Sequence, residues 1–138
     1  MAFDPRQLTE LAAQYSTPLW VYDAAVIRER IAQLRRFDVI RYAQKACSNL
    51  HILRLMRAEG VMVDAVSLGE IERSLAAGYQ PEGEPAGVVF TADLIDHATL
   101  ATVIKHGVTV NAGSLDMLER VGQAAPGHRV WLLSLIHI

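Results

Sequence analysis

Lys45 is the residue of this chain best placed to do covalent chemistry, because it stands near the end of the strand-like stretch Asp38 to Ala46, which contains the strand formers Val39, Ile40 and Tyr42. A lysine at the end of a strand buried on both faces must be paired, deprotonated or used covalently. A desolvated amine is a nucleophile toward an aldehyde, the chemistry of a Schiff base. The competing reading is a solvated lysine with no role. Cys47 stands next to this strand end, but it lacks a paired base and reads as a packing residue. Asp64 lies at the end of the next strand, where its carboxylate could orient the lysine. Glu70 follows Ser67 by three positions, so a capping box explains its spacing without further assumption. His51, His97, His106 and His128 show no metal-ligand spacing. His51, in the first turn of a helix, reads as surface, and Trp20 and Trp131 read as core or interface residues.

These residues need elements to hold them. Leu8, Leu11 and Ala12 predict a lead-in helix within residues 1–16, capped by Asp4 or Thr9 and stopped by Thr17-Pro18. Leu19 to Tyr22 reads as a strand, and Asp23 caps a helix over 24–36 with Ile27, Ile31 and Leu34 on one face. From residue 38 strands begin near Val39, Val61, Val88, Val108 and Arg129, with helices over about 50–59, 68–77, 94–106 and 115–124 between them. Ser48 or Asn49 is the N-cap of the first of these helices. Gly60 to Ser67 repeats in type as Gly107 to Ser114: a glycine closes a helix, valines alternate, and a serine opens the next helix. Alternating strands and helices predict an α/β fold with parallel pairing through right-handed crossovers. An open doubly wound sheet and the first part of a (β/α)8 barrel both satisfy the pattern. A complete barrel takes about 250 residues.

The chain has 138 residues, 51% of them hydrophobic and 20% charged, which is a globular composition. Its net charge of −2, with acids and bases interleaved, argues against a nucleic-acid or anionic-membrane partner. One cysteine permits no internal disulfide. The first residues carry no apolar signal core, and no stretch is long enough to span a bilayer. The expectation is a cytoplasmic protein.

Tyr42-Ala43-Gln44-Lys45-Ala46-Cys47-Ser48-Asn49 resembles the lysine motif, usually Tyr-Ala-x-Lys-Ala-Asn, of the alanine-racemase-like decarboxylases that use pyridoxal phosphate. Three further segments resemble the diaminopimelate decarboxylase branch of that family: His51 to Arg57, Pro18 to Asp23 and Val63 to Glu72. The resemblance covers about residues 8 to 132. It implies the N-terminal part, about five strands, of a pyridoxal-phosphate-binding (β/α)8 barrel. Residues 1–37 would lead in, 38–132 would form the partial barrel, and 133–138 would be an aberrant tail. The strand at Leu19 to Tyr22 would belong to a second, β domain.

The resemblance further implies that Lys45 carries pyridoxal 5′-phosphate as a Schiff base and that meso-diaminopimelate loses carbon dioxide to give lysine. Asp64 would assist at the cofactor, and the intact enzyme would be a homodimer. Ornithine, arginine or carboxylated polyamines are alternative substrates, and a non-catalytic pyridoxal-phosphate-binding homologue is an alternative of another class. The family's cofactor-stacking histidine, glycine-rich phosphate loop and pyridine-pairing acid fall beyond these 138 residues, so the chain alone is expected to be inactive.

Overall fold

The computed structural model describes residues 3–133, which divide into two compact units with the boundary between Arg36 and Phe37. In the first unit, helix α1 spans Pro5–Tyr15 and helix α2 spans Ala24–Gln33. Asp4 is the cap of α1, accepting from Arg6 N at 2.9 Å, while the Thr9 hydroxyl donates back to Pro5 O. Asp23 caps α2 through Ala25 N and Val26 N. Residues 19–22 form no strand, contrary to expectation. A strand exists through its ladder, and in this unit no strand offers one. Trp20, expected in a core or interface, is 86% exposed.

The second unit is a five-stranded parallel sheet with strand order β1-β2-β3-β4-β5. The strands are β1 (Arg41–Ala43), β2 (Met62–Ala65), β3 (Val88–Phe90), β4 (Thr109–Ala112) and β5 (Val130–Leu132). The intervening helices are α3 (Leu50–Ala58), α4 (Leu68–Ala76), α5 (His97–His106) and α6 (Leu115–Ala124). Each helix starts where its sequence supplies a cap: Asn49, Ser67, Asp96 and Ser114 accept from backbone N–H groups of the first turn. Gly60 and Gly107 take the left-handed backbone that closes α3 and α5, at φ 74° and 63°.

The register separates the two faces of the sheet. Val63, Ala65, Val88, Phe90, Val110 and Ala112 point to one face and pack with Leu53, Ile71, Leu100, Val103, Met117 and Val121 of the helices. The main core therefore lies between the sheet and one layer of helices. The other face carries Arg41, Asp64, Val89, Thr109, Asn111 and Trp131. There the Arg41 guanidinium of β1 lies 5.1 Å from the ring centre of Trp131 on β5. In a flat sheet these strands would be about 19 Å apart, four spacings of about 4.8 Å. The contact requires a sheet curled around its helix-free face. Sequential strand order with the helices on the convex side is the barrel arrangement, whereas a doubly wound sheet reverses its order and covers both faces.

Candidate active site

The residues that follow the five strands converge at one end of the sheet. A cavity of about 370 Å³ is lined there by Lys45, Val66, Thr91, Ala92, Asp93, Gly113 and Leu133. This is the C-terminal end of the strands, where barrel enzymes keep their chemistry. A second cavity, of about 340 Å³, lies at the opposite end, lined by residues such as Gly83, Gly107, Gly127 and Arg129.

Lys45 is not in the strand as expected. Strand β1 stops at Ala43, and Gln44–Ala46 form a short 3-10 turn. The physical reason is Gln44, whose side chain is fully buried. Its Nε2 donates to Glu70 O at 2.9 Å, and its Oε1 accepts from the Ser74 hydroxyl at 2.6 Å. Reaching those partners on α4 turns the chain out of the ladder and leaves Lys45 exposed beside the cavity. The condition for desolvating the lysine, a strand buried on both faces, is not met among the described residues, and the exit from the strand presents the amine.

Asp64 is half-buried on the concave face, in register with Ala43 and Val89. Its Oδ1 is buried and has no hydrogen-bond partner. Its charged neighbour is Arg41, whose guanidinium burial pulls below its ordinary value while the Asp64 carboxylate pushes it back up. Arg41 Nη1 donates to Val63 O at 3.4 Å, while its Nη2 is likewise buried without a partner. The structure brings Asp64 to Arg41, a neighbour that sequence reasoning missed. The alternation along β1 and the parallel register would have put Arg41 on the same face as Asp64.

Glu70 acts as the sequence implies. Its backbone N–H donates to the Ser67 hydroxyl at 3.3 Å, and its carboxylate reaches back to Val66 N at 2.8 Å, one residue ahead of the usual capping box. Val66 lines the cavity, so this cap also fixes one of its walls. Cys47 is half-buried and its carbonyl accepts from the Tyr42 hydroxyl at 3.1 Å. His51 is exposed at the start of α3, and His128 Nε2 lies 2.8 Å from Val108 O, at the far end of the strands from Lys45. Thr91, Asp93 and Gly113 were not singled out by sequence. They lie within three residues of the ends of β3 and β4, a position that becomes informative once the strand ends are known.

The family described as pyridoxal-dependent decarboxylase, pyridoxal binding domain, matches residues 24–135. The chain belongs to this family. The pyridoxal-dependent decarboxylases similar to it include the diaminopimelate decarboxylase of Streptomyces coelicolor, 65% identical over 131 residues, or 95% of this chain and 30% of that protein. The Escherichia coli diaminopimelate decarboxylase is 63% identical over 125 residues, 91% of this chain and 30% of its own length. A crystal structure of diaminopimelate decarboxylase superposes with a TM-score of 0.87 at 62% identity, over 91% of this chain and 30% of that one. A lysine decarboxylase solved with pyridoxal phosphate superposes at 0.84 with 21% identity, over 96% of this chain and 34% of that one, a likeness of fold. The chain therefore spans about 30% of the length of these curated relatives, and its five strands are the N-terminal part of a (β/α)8 barrel.

Among the described residues, no helix is long and apolar enough to cross a membrane. Residues 134–138, most of the expected aberrant tail, lie outside the described part. Leu133, assigned to that tail, donates its N–H to Ala112 O at 2.9 Å and so prolongs the β5 ladder.

Proposed function

We propose that this chain is the lysine-bearing part of a pyridoxal-phosphate-dependent diaminopimelate decarboxylase, which forms L-lysine and carbon dioxide from meso-diaminopimelate. The observation that carries the reading is Lys45, exposed beside a cavity at the C-terminal end of five barrel strands. The cavity meets the cofactor's need for an aldehyde-binding group at this end. It offers a primary amine, and an open approach at Gly113, where even an added Cβ would meet nothing within 4 Å. Lys45 would hold the cofactor's aldehyde carbon through its amine. Lys45 would also stand beside the reacting carbon of a bound substrate, where its amine could hold or return a proton. Bound pyridoxal phosphate supplies the ring that accepts the electrons of the broken bond. The Thr91 hydroxyl and the Asp93 carboxylate line the cavity as polar groups available to a small amino-acid substrate. Asp64 we assign to the electrostatics of the barrel interior, through Arg41. The active form would be a homodimer, and the 138 residues alone would be inactive.

The test joins this chain to the downstream part of the Escherichia coli enzyme and measures carbon dioxide release from meso-diaminopimelate. The expected result is an active chimera that Lys45→Ala reduces by more than about 10³-fold, as for loss of a covalent catalyst. A folded, pyridoxal-phosphate-loaded chimera that releases no carbon dioxide would sink the reading.

A further inference from the structure

Helix α4 meets the turn that carries Lys45 through one face. Glu70, Arg73 and Ser74 are spaced i, i+3 and i+4, so they share that face. Ser74 is fully buried, and its hydroxyl donates within reach of both Gln44 Oε1 at 2.6 Å and its own Glu70 O at 2.9 Å. Gln44 Nε2 donates to the same Glu70 carbonyl. Arg73 Nη1 reaches Ser48 O at 3.3 Å, at the far side of the turn. The turn also closes on Gln44 itself, whose carbonyl accepts from Cys47 N at 3.0 Å and from the Ser48 hydroxyl at 3.3 Å.

A buried primary amide is costly unless its donor and acceptor are both matched, and here both are. An apolar side chain would fill the same space more cheaply. The amide adds direction, since a two-ended polar contact fixes the turn's rotation as well as its depth. Because Gln44 immediately precedes Lys45, that rotation sets where the lysine side chain leaves the backbone.

We propose that Gln44 and Ser74 form a positioning pair that aims the Lys45 amine into the C-terminal cavity. The proposal rests on the reading of Lys45 as the cofactor lysine. It assigns the pair no contact with substrate or cofactor: they act through the turn. Misplacement by about 1 Å is enough to cost on the order of 100-fold in a positioned reaction.

The chain contains its own control. It has two lysines, Lys45 and Lys105, and Lys105 is exposed near the C-terminus of α5, outside the cavity. This chain, fused to the downstream part of the Escherichia coli relative, is incubated with substoichiometric pyridoxal phosphate, reduced with borohydride and mapped by peptide mass spectrometry. The measured quantity is the ratio of label at Lys45 to label at Lys105. Gln44→Met keeps the volume and removes both side-chain bonds, Ser74→Ala removes only the hydroxyl, and Gln44→Glu keeps an acceptor for Ser74. Tyr79→Phe serves as a purely structural control, since it loosens the core without touching the turn.

The expected result is a Lys45 preference in the wild type that falls about tenfold in Gln44→Met. It should fall less in Ser74→Ala, recover in part in Gln44→Glu, and stay unchanged in Tyr79→Phe despite a lower melting temperature. A wild type without preference for Lys45 overturns the cofactor-lysine reading, and the pair's role with it. A wild-type preference that persists in folded Gln44→Met and Ser74→Ala overturns the positioning pair alone. So does a ratio that tracks melting temperature across all variants, Tyr79→Phe included. If Gln44→Met does not fold, Ser74→Ala decides.

Discussion

At the scale of single residues, the buried polar groups set what the chain tolerates. Tyr79 is the clearest case outside the site. Its hydroxyl lies 3.1 Å from Leu53 O and 3.0 Å from Val61 O, joining the body of α3 to the start of β2. Burial pushes the phenol above its ordinary range, and nearby Arg57 offsets this only in part. A raised folded value means that the stabilisation is complete below the ordinary value of a free tyrosine, about 10. It is lost as the pH climbs through the higher folded value. Alkaline melts of the wild type should therefore lose stability above about pH 10, and Tyr79→Phe should lack that component. The same substitution should cost about 1–2 kcal/mol at neutral pH, read from chemical denaturation. In an ultraviolet titration it should remove the last phenol to ionise.

Among the elements, helix starts and close backbone approaches govern the risk. The Asp96 carboxylate caps α5 by accepting from Thr99 N at 2.7 Å, which holds it below the ordinary carboxylate range. A depressed value stabilises the fold above the ordinary range and stops doing so as the pH falls through the lower folded value. Asp96→Asn keeps a capping oxygen without the charge, so the melting temperature of that variant should fall less on acidification than that of the wild type.

Gly87 lies just before β3, and its carbonyl accepts from Val63 N at 3.0 Å. A methyl group on Gly87 would collide with the Gln80 backbone carbonyl oxygen, which cannot swing aside as a side chain would. Gly87→Ala should therefore destabilise the unit by about 1–3 kcal/mol in urea unfolding. An unchanged denaturation midpoint would show that the loop has room to move.

For the molecule as a whole, the edges of the sheet are decisive. Among the described residues, β1 and β5 each have one neighbouring strand. Trp131 is 38% exposed and Leu132 74% exposed at the β5 edge. The concave face holds Arg41 Nη2 and Asp64 Oδ1 without partners. Unpaired strand edges flanked by exposed apolar side chains favour association with another chain. Light scattering should show the 138 residues self-associating as concentration rises, with a broad melt. Fusion to the downstream part of the Escherichia coli relative should sharpen the melt and suppress association. A monomer with a sharp cooperative transition would contradict this.

The sequence alone determined much of this molecule, because local rules decided those parts. Caps at Asn49, Ser67 and Ser114, and glycines at 60 and 107, locate helix ends through bonds made within a few residues. The motif around Lys45 pointed to the family that the comparisons establish. Tertiary structure decided the rest. Whether residues 19–22 form a strand depends on a partner strand that no local pattern specifies. Open sheet and curled barrel have the same periodicity, and only the strand order and the Arg41–Trp131 contact separate them. The end of β1 at Ala43 follows from Gln44 reaching Ser74, thirty residues along the chain. Strand propensity reads neighbours in sequence, while a buried amide answers to whatever the fold places beside it.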